Sequence, residues 1–264
     1  MPSLFGSDEK LLIGVIHLLP LPGSPRWAGD IQAVIDRAIE DARAYEQGGA
    51  RAVIVENFGD LPFTKAAVPA ETVAAMAVAG REVGKAITVS MGFNVLRNDA
   101  AAALALCAAC GGKFIRVNIH VGAMLTDQGI IEGRAFETVR LRNQLAPGAE
   151  IWADVHVKHA VILGDWTLEQ AARDTLERGL ADGLIVSGQG TGHATELEHV
   201  QRVRNACPTG KVLIGSGVTT GNVSAFLPYI DGAIVGTSLK VDGLTGKAVD
   251  PKRVRALAKA MSAR

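Results

Sequence analysis

Aromatic residues are scarce in this chain of 264 residues: they make up 5% of it, with two tyrosines and three tryptophans. That is too few for the stacking platforms on which single-stranded nucleic acids are held. An excess of charge of one sign is missing as well. Lysine and arginine together number 27, aspartate and glutamate 27, and the formal net charge is zero. No long basic stripe breaks that balance, so nucleic acid is not expected as a partner. The three cysteines, Cys107, Cys110 and Cys207, are odd in number and widely spaced, which excludes a disulfide framework. Cys107 and Cys110 form a C-x-x-C, but inside the alanine-rich run Ala100–Ala109, where it reads as two small residues on a helix face. No second pair completes a zinc site. No apolar run approaches the roughly 20 residues of a membrane helix. Met1 to Lys10 is polar, carries Asp8 and Glu9, and reads as an N-terminal extension rather than a signal peptide. The expectation is a cytoplasmic protein with no integral membrane segment.

What is plentiful is apolar residues, 48% of the chain, and glycine, 30 in all. Short runs rich in valine and isoleucine alternate eight times with helical patterns. The strand candidates are Leu11–His17, Ala52–Glu56, Ala86–Ser90, Phe114–His120, Ile151–Val157, Gly183–Ser187, Val212–Gly215 and Gly232–Val235. They carry little charge, as strands buried on both faces should. Between them the apolar residues follow the helical period, as in Ile31, Val34, Ile35, Ala38, Ile39, Ala42 and Tyr45. Asp30 is a candidate N-cap for that helix and Gly48-Gly49 its stop. Thr167-x-x-Gln170 and Thr195-x-x-Glu198 both fit capping boxes. Asp250-Pro251 opens the last helix. Alternation of this kind implies parallel strands with crossover helices, in a doubly wound sheet or a barrel. Eight units in about 250 residues favour the barrel. The fold class expected is therefore α/β, a single (β/α)8 TIM barrel spanning residues 1–264, with 1–10 as the extension.

Two glycine-rich segments end the last two strand candidates: Ile214-Gly215-Ser216-Gly217-Val218 and Ala233-Ile234-Val235-Gly236-Thr237-Ser238. In many barrels the loops after strands seven and eight hold a phosphate. Glycine lets the backbone approach the anion, and N–H groups at a helix start point at it. Gly215, Ser216, Gly217, Gly236, Thr237 and Ser238 are thus the candidate phosphate-binding residues, and a phosphorylated small molecule the candidate substrate.

Candidate catalytic residues come from the strand ends. Period-two alternation predicts that Arg116, Asn118 and His120 share one face of strand four, and Asp154, His156 and Lys158 one face of strand five. Six polar side chains inside a barrel need either one another or a task. A satisfied ion-pair network is the structural alternative. His17 ends strand one and Glu56 strand two, while Ser90, Gly92 and Asn94 follow strand three. Asp154, His156 or Lys158 can move protons, and a desolvated Lys158 can form a Schiff base with a carbonyl. Aspartate, histidine and glutamate can also hold a divalent metal, although no compact ligand motif is present. Gly188-Gln189-Gly190-Thr191-Gly192 reads as either a loop that closes over substrate or a surface turn. The proline-rich Leu19–Pro25 reads as a stiff loop over the mouth or a subunit contact.

Gly14-Val15-Ile16-His17-Leu18-Leu19-Pro20-Leu21-Pro22-Gly23-Ser24-Pro25 resembles the N-terminal signature of the BtpA family. Glu56-Asn57, Asn118 with His120, the Asp154–His159 segment and Ile214-Gly215-Ser216-Gly217-Val218-Thr219 resemble it too. The likeness runs from about residue 10 to the C-terminus. That family takes its name from a protein needed to accumulate photosystem I, extends to bacterial members beside sugar-transport genes and to archaea, and is grouped with the ribulose-phosphate-binding barrels. The resemblance implies the barrel and the phosphate site and transfers no reaction. Three readings follow. The first is an enzyme acting on a phosphorylated sugar or nucleoside-like compound by isomerisation, cleavage or transfer. The second is a non-catalytic assembly or stability factor, and the third a metal-dependent hydrolase. Barrels of this kind often pair, so a homo-oligomer is a further expectation.

Overall fold

The computed structural model describes residues 10–156, 160–188 and 195–262. In chain order its strands and α-helices are β1 (Leu11–His17), α1 (Ile31–Gln47), β2 (Ala52–Glu56), α2 (Ala70–Ala86), β3 (Ser90–Asn94), α3 (Ala100–Cys110), β4 (Phe114–Val117), β5 (Ala123–Thr126), β6 (Gly129–Glu132), α4 (Ala135–Leu145), β7 (Glu150–Val155), β8 (Ala160–Ile162), α5 (Leu168–Glu177), β9 (Gly183–Ser187), α6 (Leu197–Ala206), β10 (Val212–Gly215), α7 (Val223–Phe226), β11 (Gly232–Val235) and α8 (Pro251–Ser262). Eight of the strands close a parallel barrel in the ring order β1-β11-β10-β9-β7-β4-β3-β2. The other three form an antiparallel sheet, β6-β5-β8.

Alternation along the strands divides the core in two. Leu11, Ile13, Val15, Ala52, Ile54, Phe114, Trp152, Ile185, Leu213 and Ile234 fill the barrel interior. The opposite faces pack under the helices in a larger cluster that includes Ile16, Val53, Val55, Phe93, Ile115, Leu184 and Ile214. Strands buried on both sides explain why these runs read as continuously apolar. Helix starts follow the sequence signals closely. The Asp30 carboxylate accepts from the Gln32 and Ala33 amides, Thr167 and Gln170 form a reciprocal capping box on α5, and Pro251 is the first residue of α8. Behind α8, a fully buried ion pair ties the C-terminal segment to α1. Lys240 donates to Asp41 at 3.2 Å, and the same carboxylate takes the Val249 amide at 2.7 Å.

Four expectations need correcting. The third strand is not Ala86–Ser90 but Ser90–Asn94. α2 runs through Ala86, and the Glu46 carboxylate captures the Thr88 and Val89 amides, which keeps those β-branched residues out of the ladder. Gly92 then sits where a Cβ would lie 2.5 Å from the Phe114 ring, so the close approach of the two strands requires glycine there. The fourth strand stops at Val117 rather than His120. The Asn98 side chain accepts from the Ile119 amide and donates to the Ile119 carbonyl, both at 2.8 Å, and so replaces the ladder. The fifth strand ends at Val155, and His156 follows with φ of +54°. Finally, Thr195 caps no helix: α6 starts at Leu197 without a side-chain cap, and the Thr195 hydroxyl donates to the Gly215 carbonyl at 2.8 Å.

The segment between β4 and α4 carries the β5–β6 hairpin. Its inner face, Met124 and Ile131, packs with Ile119 as a small separate core.

Candidate active site

At the C-terminal ends of the barrel strands the interior turns from apolar to polar. His17 and Glu56 are opposed in register on β1 and β2, and Glu56 and Asn94 on β2 and β3. One Glu56 oxygen lies 3.7 Å from His17 Nε2, and the other accepts from Asn94 Nδ2 at 3.0 Å. The His17 ring leans on Phe58, with centroids 4.6 Å apart. The carboxylate and the imidazole are therefore held on two sides each. Such a pair can pass a proton to and from a third group placed between them.

Across the barrel, Arg116 on β4 donates twice to Asp154 on β7, from Nε at 2.8 Å and Nη2 at 2.9 Å. Asn118 Nδ2 adds a third bond to the same carboxylate at 3.3 Å. Burial acts to lower the Arg116 pKa, but the Asp154 carboxylate, with Glu56 beyond it, outweighs that effect and holds it above the ordinary arginine value. Arg97, in the loop after β3, is also buried. Burial lowers its pKa, and it sits within electrostatic reach of Asp154, Arg116 and Glu56. Asn94 Oδ1, Asn118 Oδ1 and Ser187 Oγ are buried without a hydrogen-bond partner among the described residues. Buried polar atoms are nearly always partnered, so each of these three has capacity for a further polar partner.

The loops after β10 and β11 complete the mouth. Ser216 and Gly217 take φ of +70° and +64°. For a residue with a side chain, as at Ser216, that conformation is uncommon and held by its surroundings. Thr195 holds the Gly215 carbonyl, Asn222 donates to the Gly217 carbonyl at 2.9 Å and accepts from the Thr219 amide at 2.8 Å. Ser238 donates to the Val218 carbonyl at 2.5 Å, joining the two loops. A single 310 turn, Thr237–Leu239, follows β11. At Gly236 a Cβ would fall 2.7 Å from the His17 ring, so only glycine keeps that ring in place.

A cavity of about 400 Å3 opens between these parts. It is lined by Ser216, Gly217, Gly236, Thr237 and Ser238 together with His17, Glu56 and Arg116, and by Arg253 of α8. Its size suits a small-molecule ligand. The sequence candidates thus divide. His17, Glu56 and the two glycine loops share one cavity. Gly215 lies directly below it, its Cβ direction 3.8 Å from Arg116 Nη2. Asp154 and Asn118 support Arg116 from the side.

His120 and His156 do not share that face, contrary to the alternation expected of them. Because β4 ends three residues earlier, His120 turns outward and its Nε2 donates to the Gly179 carbonyl at 2.8 Å. Burial lowers its pKa. His156 leaves the strand geometry at its positive φ and sits in the field of His199, Arg202 and Glu169 on α5 and α6. Burial is the largest cause of its lowered pKa. Lys158 and the Gln189–Gly192 loop lie outside the described residues. No three His, Cys, Asp or Glu side chains gather as a metal site among the described residues. Arg97 and Arg253 were not anticipated. Arg97-Asn98-Asp99 shortly after a strand, and an arginine in the first turn of the helix following the glycine loops, are the signals that could have found them.

Comparison with known proteins agrees with this architecture. The model of the BtpA family matches residues 8–263. The chain belongs to the BtpA family. It is 47% identical over 251 residues to the photosystem I biogenesis protein BtpA of Synechocystis sp., covering 95% of this chain and 88% of that one. It is 45% identical over 250 residues to an uncharacterized protein of Pyrococcus furiosus, covering 95% and 94%. Among solved structures, phosphoribosyl anthranilate isomerase from Thermus thermophilus superposes with a TM-score of 0.59 at 13% identity, over 95% of this chain and 98% of that one. Orotidine 5'-phosphate decarboxylase from Pyrococcus horikoshii gives 0.57 at 16% identity, over 96% and 100%. At such identities the likeness is one of fold: this BtpA-family chain is a TIM barrel.

Proposed function

We propose that this chain is an enzyme acting on a phosphorylated small molecule, a sugar phosphate or nucleoside-like phosphate, by isomerisation, cleavage or group transfer. The phosphate would rest on Gly215–Gly217 and Gly236–Ser238, with Arg253 beside it. The reacting end would face His17 and Glu56. The observation that carries this reading is that one cavity is lined by both the glycine loops and the imidazole–carboxylate pair. The phosphate-bearing substrates named for the two structural neighbours support it by analogy of fold. In this scheme His17 and Glu56 transfer the proton, Asn94 fixes the Glu56 carboxylate, and Arg116, braced by Asp154, meets negative charge that develops on the substrate.

The test is a thermal-shift comparison of phosphorylated sugars and nucleotides with their unphosphorylated parents. A ligand at 100 times its dissociation constant adds about 2.7 kcal/mol, which for a chain of this size is a shift of several degrees. Phosphorylated compounds should stabilise and their parents should not. His17→Ala and Glu56→Gln should abolish turnover and keep the shift. No shift with any phosphorylated compound, or with inorganic phosphate itself, refutes the reading. A second reading, an assembly factor, rests on the name of the relative that is 47% identical. It predicts instead a stable protein partner whose binding survives His17→Ala and Glu56→Gln.

A further inference from the structure

One face of the β6-β5-β8 sheet carries a row of half-exposed apolar side chains. Met124 and Ile131 point inward to the small core. Alternation turns their neighbours outward, and there Leu125 is 49%, Ile130 52% and Val161 66% exposed. Register places the three side by side: Leu125 pairs with Ile130 on one flank and with Val161 on the other. Leu163, whose amide donates to the Ala123 carbonyl, continues the face, and Trp166 adjoins it over Gly122. These five side chains at about 100 Å2 apiece make about 500 Å2 of contiguous apolar surface, toward the upper end of what a monomer shows to water. That is about the apolar share of one side of a standard interface, which buries about 800 Å2 per partner, some 57–65% of it apolar.

We propose that this face pairs with the same face of a second copy of this chain. The row has a leucine at its centre and a β-branched residue on each flank. A two-fold axis along β5 therefore sets Leu125 against its own counterpart and each branched flank against the opposite flank of the partner. An isologous interface requires that self-complementarity. The position on the barrel fits pairing as well. The sheet is built from the segments after β4 and β7, whereas the cavity is lined mainly from β10, β11, β1 and β2, with Arg116 of β4 reaching it. Two copies joined here leave both cavities open.

Sedimentation of the full chain decides the matter. The wild type should run at two chain masses into the low micromolar range. Leu125→Asp and Val161→Asp, both at exposed positions, should run at one chain mass with unchanged circular dichroism. Leu125→Cys should form a covalent dimer on mild oxidation, because the axis brings the two thiols together. A wild type of one chain mass at high micromolar concentration overturns the proposal, whether or not this face then binds lipid vesicles or another protein. So do two chain masses that persist in both aspartate variants, and a Leu125→Cys chain that does not cross-link.

Discussion

Asp154→Ala removes the carboxylate that takes two N–H groups of Arg116 and leaves the guanidinium, with a side chain 6% exposed, buried beside the apolar layer. Breaking a buried pair from one side costs about 3–5 kcal/mol. The neighbouring Glu56 charge already favours the arginine cation and offsets part of that loss, so a value near the lower bound, about 3 kcal/mol, is expected. The double variant Arg116→Met with Asp154→Leu carries no buried charge at this place. Replacing a whole buried pair by apolar residues of similar volume is often neutral or stabilising. It should therefore return to within about 1 kcal/mol of the wild type, a recovery of roughly 2 kcal/mol from the single variant. Urea unfolding followed by circular dichroism and tryptophan fluorescence measures both, provided the slope with denaturant stays constant. A loss below about 1 kcal/mol for Asp154→Ala, the size of a surface pair, would refute the argument that Asp154 braces Arg116. So would a double variant as damaged as the single one.

Two further outcomes are expected. Gly236→Ala forces a methyl group to within 2.7 Å of the His17 ring, which costs about 1–3 kcal/mol of overpacking and pushes the ring from Glu56. The chain should still fold, and turnover should fall far more than the phosphate-dependent thermal shift; unchanged turnover would show that the ring's position is immaterial. For pH dependence, the folded pKa of His120 lies below its unfolded value because of burial. Its contribution is complete above the unfolded pKa of about 6.5 and is lost as pH falls toward the folded value, at up to about 1.4 kcal/mol per pH unit. His156 is lowered in the same direction. His120→Asn should flatten the decline in urea midpoint between neutral and mildly acid pH, and an identical slope in wild type and variant would rule the attribution out.

The barrel was legible because its signals are local and repeated. β1, β2, β9, β10 and β11 have the limits read from apolar runs, and the glycine loops after the last two stand where the eightfold count puts them. The failures came where a distant side chain overrides the local pattern. The Glu46 carboxylate, 42 residues from Thr88, decides where β3 begins. The Asn98 amide decides where β4 ends, and with it whether His120 faces the cavity or α5. Period-two alternation holds only while the ladder continues, so extrapolating it past Val117 and Val155 assigned two histidines to the wrong face. His17 and Glu56 needed no extrapolation, since each is the last residue of its own strand.

The charges around the cavity bear on the kind of ligand proposed for it. Glu56, Arg116 and Arg253 line the cavity, while Asp154 stands behind Arg116, and Arg97 is within electrostatic reach of Asp154, Asp127 and Glu56. Asp154 is spent on Arg116, and Glu56 is shared between His17 and Asn94. Among the described residues, Arg253, beside the glycine loops, reaches the Ser238 carbonyl at 3.2 Å and, loosely, Asp250 at 3.9 Å. An anion entering beside it gains a charge partner without displacing a strong one. Field lines in a cleft with low-dielectric walls concentrate that attraction. In the proposed reading a dianionic phosphate is drawn to the glycine loops beside Arg253, and the His17–Glu56 pair is left for the rest of the same molecule.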